Sequence, residues 1–280
     1  MKEDSRSVVL VFAAKAVLVF GLTSMAASQT RWIQREFILG TCWDPPYDSR
    51  VEVMDKDVES FQLAKDAYFN LLTGTQGEGA IDHSYKGMLW AIRVSRRLGL
   101  HYLVSDNRLY EGFNHEFDES VGRETAGEYA RLPADLQTAI YGFNLCDEPH
   151  HETGHIRRIA AWKKFLEAAD PERLVYINLV ASYAADQNWG GFVGGNNNGV
   201  LDRAEKTEYE NYLANYVDSL RPSVVSFDHY PFFKNGTVRR DYFYNLSIIR
   251  SKAGSHPFWA YPMTVDHLTY VDPTEQHLNF

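Results

Sequence analysis

Ile140-Tyr141-Gly142-Phe143-Asn144-Leu145-Cys146-Asp147-Glu148-Pro149 decides how the rest of the chain is read. Residues 140–145 form a nearly continuous apolar run of strand length, and Pro149 stops it. A strand without polar alternation is buried on both faces, as in parallel sheets covered by helices. The run ends in two acids, Asp147 and Glu148, so its C-terminal end carries the polar chemistry.

The same unit recurs on either side. Apolar runs at 37–40, 68–72, 102–104, 174–179, 224–227 and 258–263 read as six further strands. Between them, apolar residues at helical spacing predict helices over 58–67, 85–98, 123–136, 155–168, 205–220 and 242–252. Gly99 closes the second of these as a C-cap. Seven strand-then-helix units predict an α/β fold, an incomplete (β/α)8 TIM barrel, with an open doubly wound sheet as the alternative. No G-x-G-x-x-G or P-loop follows the first strand, which argues against that alternative. After Asp266 only fourteen residues remain. The expectation is therefore a fragment, or a barrel left open before its eighth strand with an unpaired edge.

The chain has 280 residues, 45% hydrophobic, with 28 basic and 37 acidic side chains and a net charge of −9. That composition excludes disorder and argues against nucleic acid or anionic lipid as the main partner. Seventeen Tyr, sixteen Phe and six Trp are compatible with a carbohydrate-facing cleft, although most such rings belong to a core. Residues 8–27 are apolar, follow Lys2 and Arg6, and end in small residues, which reads as a secretory signal cleaved near Ser28. Glu3, Asp4 and Lys15 depart from that pattern, and an uncleaved anchor is the other reading. The expected organisation is a signal over 1–28 and one barrel domain over 29–280, secreted or periplasmic, with no stable membrane insertion after cleavage. Cys42 and Cys146 read as small buried residues rather than a disulfide framework.

Asp147-Glu148-Pro149 at the end of the fourth strand resembles the Asn-Glu-Pro of the barrel-type (clan A, family 42-like) glycoside hydrolases. The likeness extends over 36–280 as a pattern of strand ends. It implies that Glu148 is the acid/base of a two-carboxylate hydrolysis of oligo- or polysaccharide, in which one carboxyl protonates the leaving oxygen. The family's nucleophile is a Glu at the end of the seventh strand. Residues 258–267 hold none, and Asp266 is the nearest carboxylate. A helix N-terminal acid held by the dipole is the structural alternative for Glu148.

Other strand ends supply a candidate sugar-binding floor: Trp43 and Asp44, Asn70, Asp106 and Arg108, Asp147, Asn178, and Asp228, His229 and Tyr230. Short polar groups beside a ring suit a sugar, whose hydroxyls lie around an apolar face. Arg108 pairing with Asp106 is the structural alternative there. His151, Glu152 and His155 match the H-E-x-x-H zinc pattern, but Pro149 and Gly154 set it at a helix start, so a zinc-dependent hydrolase is a third reading. Asn196, Asn197, Asn198, Gly199, Asp202 and Glu205 resemble a calcium loop whose first ligand would be Gly194, and they read instead as a long loop. No cofactor and no metal is expected. A carbohydrate-binding, non-catalytic degenerate barrel is the rival of a different class.

Overall fold

The computed structural model describes residues 32–41, 44–45, 55–74, 82–110, 116–261 and 270–271. Its elements in chain order are α1 (Asp55–Asp66), β1 (Leu71–Thr73), α2 (Tyr85–Leu98), β2 (His101–Val104), α3 (Glu119–Ala130), α4 (Ala134–Gln137) and β3 (Ile140–Asp147). There follow α5 (Thr153–Ala169), β4 (Leu174–Leu179), α6 (Tyr183–Gln187), α7 (Arg203–Leu220), β5 (Val225–Asp228), α8 (Tyr242–Ala253) and β6 (Phe258–Tyr261). The six strands form one sheet in the order β1-β2-β3-β4-β5-β6, every neighbouring pair parallel.

The sheet is curled. Laid flat, six strands would hold β1 and β6 about 24 Å apart. Instead one short segment touches both: Gly40 bridges Leu71 of β1, and its Cα hydrogens face the Tyr261 hydroxyl of β6. Trp259 of β6 donates through Nε1 to Gln34 Oε1 at 3.0 Å, and its ring lies 5.8 Å from Tyr176 of β4 and 6.5 Å from Tyr141 of β3. Those three aromatics, with Leu71, Leu103, Leu174, Val224, Trp32 and Ile38, fill the concave side. On the convex side Tyr102, Val104, Phe143, Val175, Ile177 and Phe227 meet Met88, Ile159, Trp162, Tyr209, Tyr212 and Tyr216 of the helices. Each fully buried apolar side chain of this size stabilises by about 1.5–3 kcal/mol.

Alternation along the strands then sorts the concave side by height. Near the N-terminal ends it is apolar. Toward the C-terminal ends the inward positions are Thr73, Ser105, Asn144, Asn178, Ser226 and Asp228, all polar and all buried. In a barrel filled only for stability, bulky branched residues dominate these layers. Here the upper half is a polar well.

The expected strand over 37–40 is present only as the Gly40 bridge, although Thr41 N donates to Leu71 O at 3.0 Å and Asn70 N to Leu39 O at 3.0 Å. The expected strand over 68–72 starts later, because Tyr68 ends α1 in a left-handed turn at φ 66° and is 85% exposed. The single helix expected over 123–136 is two, since Pro133 stands at the N-cap of α4 and cannot donate to a continuing α3. No helix among the described residues is long and apolar enough to cross a membrane. Cys146 is buried in β3, and Cys42 lies outside the described residues.

Backbone closeness fixes one position between β3 and β4. A Cβ on Gly142 would stand 2.0 Å from Leu174 O and 2.8 Å from Leu174 Cβ. Gly142→Ala is expected to destabilise by about 2–3 kcal/mol, because strand separation cannot relax without breaking the ladder. Urea unfolding of the two proteins measures it, and an unchanged midpoint would contradict this account of the β3–β4 contact.

Candidate active site

β3, β4 and β5 end side by side, with Asp147 opposite Asn178 and Asn178 opposite Ser226. The Asn178 amide divides its two hydrogens between two acids. Nδ2 donates to Asp147 Oδ1 at 3.0 Å and to Asp228 Oδ1 at 2.8 Å. Its Oδ1 accepts from Ser226 Oγ at 3.1 Å, and Tyr176 OH lies 2.9 Å from the same Ser226 oxygen. Tyr230 donates to the Asp228 carboxylate from the far side.

Glu148 completes the group. Its backbone N–H donates to Asn178 O at 2.9 Å, which anchors it over β4. Its φ is +50°, a left-handed conformation that a residue with a Cβ adopts at a cost of about 1–3 kcal/mol. Helix α5 begins only at Thr153, with Glu152 as N-cap, so Glu148 is not an acid of a helix first turn and the dipole alternative does not apply. Burial raises the Glu148 carboxyl well above its usual range, and the charges of Asp228 and then Asp147 raise it further. Burial and the Asp228 charge push Asp147 up to about 7, against the Asn178 hydrogen bond. Asp228 is raised by burial, while Tyr230 and Asn178 pull the other way. Three acids packed this closely oppose one another's ionisation.

His229 lies just behind. Its Nε2 is 3.2 Å from Asp241 Oδ2, which also accepts from Ser182 Oγ at 2.7 Å. The ring sits edge-on between Tyr183 at 5.4 Å and Tyr242 at 5.1 Å. Fully buried, His229 braces the end of β5 rather than facing solvent.

A second polar group occupies the β1–β3 side. Tyr102 OH donates to Asp44 Oδ2, and burial lifts the Asp44 carboxyl to about 7 despite that bond. Asn144 Nδ2 donates to Ser105 Oγ at 3.0 Å. Gly74 keeps the space open, since a Cβ there would come 2.6 Å from Tyr102 OH and 3.3 Å from Ser105 Oγ.

Asp147, Glu148, Asn178, Asp228 and Tyr230 are thus brought together, with His229 braced behind them and Asp44 on the neighbouring wall. Asn70 stands elsewhere. It precedes β1 at the opposite end of the sheet, where its amide donates to Phe37 O at 2.7 Å and accepts from Leu39 N at 2.8 Å. It clamps the Gly40 segment and leaves the set of sugar-facing candidates. Asp106 and Arg108 are engaged with each other at 2.8 Å, and with Tyr129 and Glu128 of α3, which is the structural reading of that pair. Trp43 and Asp266 lie outside the described residues.

The zinc pattern does not assemble. His151 precedes the helix and lies 3.8 Å from Glu208, whereas His155 Nδ1 accepts from His150 N at 3.0 Å. Among the described residues no three or more His, Cys, Asp or Glu side chains are arranged so that they could hold a metal ion. The loop at 194–205 is organised from within: Asp186 accepts from Asn198 N and Gly199 N at 2.9 and 3.0 Å, and Asp202 with Glu205 forms the capping box of α7. Its acids are therefore already used by backbone donors. Tyr183, Ser226, Asn144 and Arg239 went unread in the sequence. Ser226 is findable from the alternation of its strand; Asn144 precedes an irregularity of β3 that alternation does not reveal, and Tyr183 and Arg239 carry no local signal.

The raised acids set the pH dependence of stability. Asp44 and Asp147 have folded values near 7 against 3.8 for the unfolded chain, so stability is full below pH 4 and is lost as pH rises through 7. His83, His151 and His155 are held low by burial and act in the opposite sense between pH 4 and 6.5. The histidines of the unfolded chain are half protonated at pH 6.5 and neutral by about pH 7.5, so their contribution still rises while that of the aspartates falls. Asp44→Asn removes one aspartate and leaves the histidines, so between pH 6.5 and 8.5 the wild type is expected to lose about 1 kcal/mol more stability than the variant. Urea midpoints of the two proteins across that range measure the difference; parallel curves would contradict it.

No protein-family model matches the chain, and no curated protein matches it in sequence. Solved structures share its fold. A provisionally assigned alpha-L-fucosidase from Bacteroides thetaiotaomicron superposes with a TM-score of 0.53 at 10% identity, over 81% of this chain and 75% of its own. An endo-beta-1,3-glucanase of glycoside hydrolase family 128 from Sorangium cellulosum gives 0.41 at 15% identity, over 81% and 76%. The first likeness is one of fold alone, that of an α/β barrel used by glycoside hydrolases.

Proposed function

We propose that this protein hydrolyses O-glycosidic bonds of an oligo- or polysaccharide, with Glu148 as general acid. The observation that carries the reading is a carboxyl group beside two further acids, its pKa raised by burial and by their charges, on a strained backbone at the mouth of a polar well. Protonated, Glu148 gives its proton to the leaving oxygen; ionised afterwards, it takes one from the attacking water. Burial first, and then the charges of Asp228 and Asp147, raise the pKa of that carboxyl and favour its protonated form. Asn178 and Tyr230 fix the orientation of the two aspartates. Asp266, in the run after β6, is assigned as the partner carboxylate from chain order. A separation of about 5–5.5 Å from Glu148 would give retention, and a wider one inversion. Residues 1–28 are proposed to direct export.

The test is hydrolysis of a panel of aryl glycosides and polysaccharides by the wild-type chain and by Glu148→Gln. Turnover by the first and its collapse in the second supports the assignment. Equal rates remove Glu148 from the mechanism. One observation favours a second reading, a sugar-binding barrel without turnover: residues 258–267 contain no Glu. Binding of oligosaccharide without hydrolysis by the wild type would select it.

A further inference from the structure

Arg239 stands near the acid corner, and no carboxylate among the described residues pairs with it. Its backbone N–H donates to Pro231 O at 2.8 Å, so it returns beside the end of β5 on a short hairpin in which Phe232 bridges Val238. The guanidinium lies 4.0 Å from the centre of the Tyr183 ring, 4.8 Å from Phe233 and 5.6 Å from Tyr270. Nη2 donates to Tyr270 OH at 2.8 Å, and the buried Nε has no partner. No carboxylate of the described residues lies within ion-pairing distance; Asp241 feels the charge from further away. Tyr183 connects this cation to the site, because the same ring feels the charges of Asp228 and Glu148.

Such a group is expensive to keep for packing alone. A half-buried guanidinium stacked on aromatic rings has lost part of its hydration and most of its freedom. Its planar fork is thereby set in advance for a planar or trigonal anion. The corner of protonatable acids beside it does not supply that anion.

We infer that Arg239 is the recognition point for an acidic sugar, one bearing a ring carboxylate or a sulfate ester, in the chain that occupies the well. This rests on the glycosidase reading above and names its substrate class. The test is binding to the full chain carrying Glu148→Gln, by calorimetry, with three probes of equal length: an oligogalacturonide, a carrageenan oligosaccharide and a cello-oligosaccharide. One or both anionic probes should bind at least ~10-fold tighter than the neutral one, and the better of the two identifies the anion. Arg239→Lys keeps the charge but loses the fork, and should weaken that anionic probe by ~5–10-fold while leaving the neutral probe within ~2-fold. Without any further substitution, raising salt from about 0.05 to 0.3 M should weaken the anionic probe alone.

A neutral probe that binds as well as both anionic ones overturns the inference. So does an Arg239→Lys effect equal on all probes, which would make the cation part of the scaffold. Binding none of the three also overturns it. Because no turnover is needed, an anionic preference in a chain that hydrolyses nothing would sink only the glycosidase reading. Hydrolysis confined to neutral sugars would sink only this one.

Discussion

Glu148→Gln is expected to lower turnover by about 10²–10⁴-fold, the range that a positioned general acid contributes. The loss should depend on the leaving group. A dinitrophenol leaves without a proton, so its glycosides should lose little in the glycosidic-cleavage step; an alkyl or sugar alcohol needs the proton and should lose the full amount. A residue that attacked the anomeric carbon would instead show a loss nearly independent of the leaving group, and that outcome would displace Glu148 from the acid role. The same variant should be more stable than the wild type at pH 8. Gln removes an ionisable group from a corner in which Asp147 and Asp228 already oppose its charge. The gain should shrink as pH falls and vanish below about pH 3.5, where the glutamate of the unfolded chain has also taken up its proton. Opposite signs for activity and stability in one substitution are what a destabilised functional site gives.

The sequence made part of this corner readable because strands have a period of two residues. Asn178 and Asp228 close buried apolar runs, so their polar side chains had to stand at strand ends, on the side where parallel α/β folds place their sites. Asn144 was hidden by an irregularity. It lies three residues before Asp147, and three is an odd step, which in a regular strand sends the two side chains to opposite faces. A register shift between Asn144 and Cys146 brings both to the concave side. Nothing local announces such a bulge. Asn70 misled for a related reason: a short apolar run does not tell where its strand begins. Three residues of uncertainty exchange one end of the sheet for the other. Tyr183 and Arg239 were out of reach because each acts through partners 30 or more residues away, across connections whose paths depend on the whole fold. Asp106 and Arg108 show the converse. Their spacing suggested a simple pair, and Tyr129 and Glu128 of α3 made it a fixed one.

Asn178→Leu is expected to be the most destabilising single change in the site, by about 3–5 kcal/mol at pH 7.5, the cost of removing one partner from a buried charged group. Leu repeats the branched skeleton of Asn and suits a buried strand, although its methyl groups are bulkier than the amide and add some overpacking. What disappears is the amide that donates to both Asp147 and Asp228, at 3.0 and 2.8 Å. Ser226 loses its acceptor at the same time, while Tyr176 OH keeps Ser226 Oγ at 2.9 Å. The two carboxyls must then rise in pKa, since the bond that lowered each of them is gone. As pH falls and both carboxyls take up protons with or without Asn178, the penalty should shrink toward the roughly 1–3 kcal/mol of the unsatisfied Ser226 hydroxyl. Catalysis gives an independent readout. With Asp147 and Asp228 neutral to a higher pH, Glu148 feels less opposing charge and its own pKa falls. The alkaline limb of the pH–rate profile should therefore move to lower pH in whatever activity survives. A limb that stays in place would mean that burial alone sets the acid, and that the three carboxyls of β3 and β5 are neighbours without being electrostatically coupled.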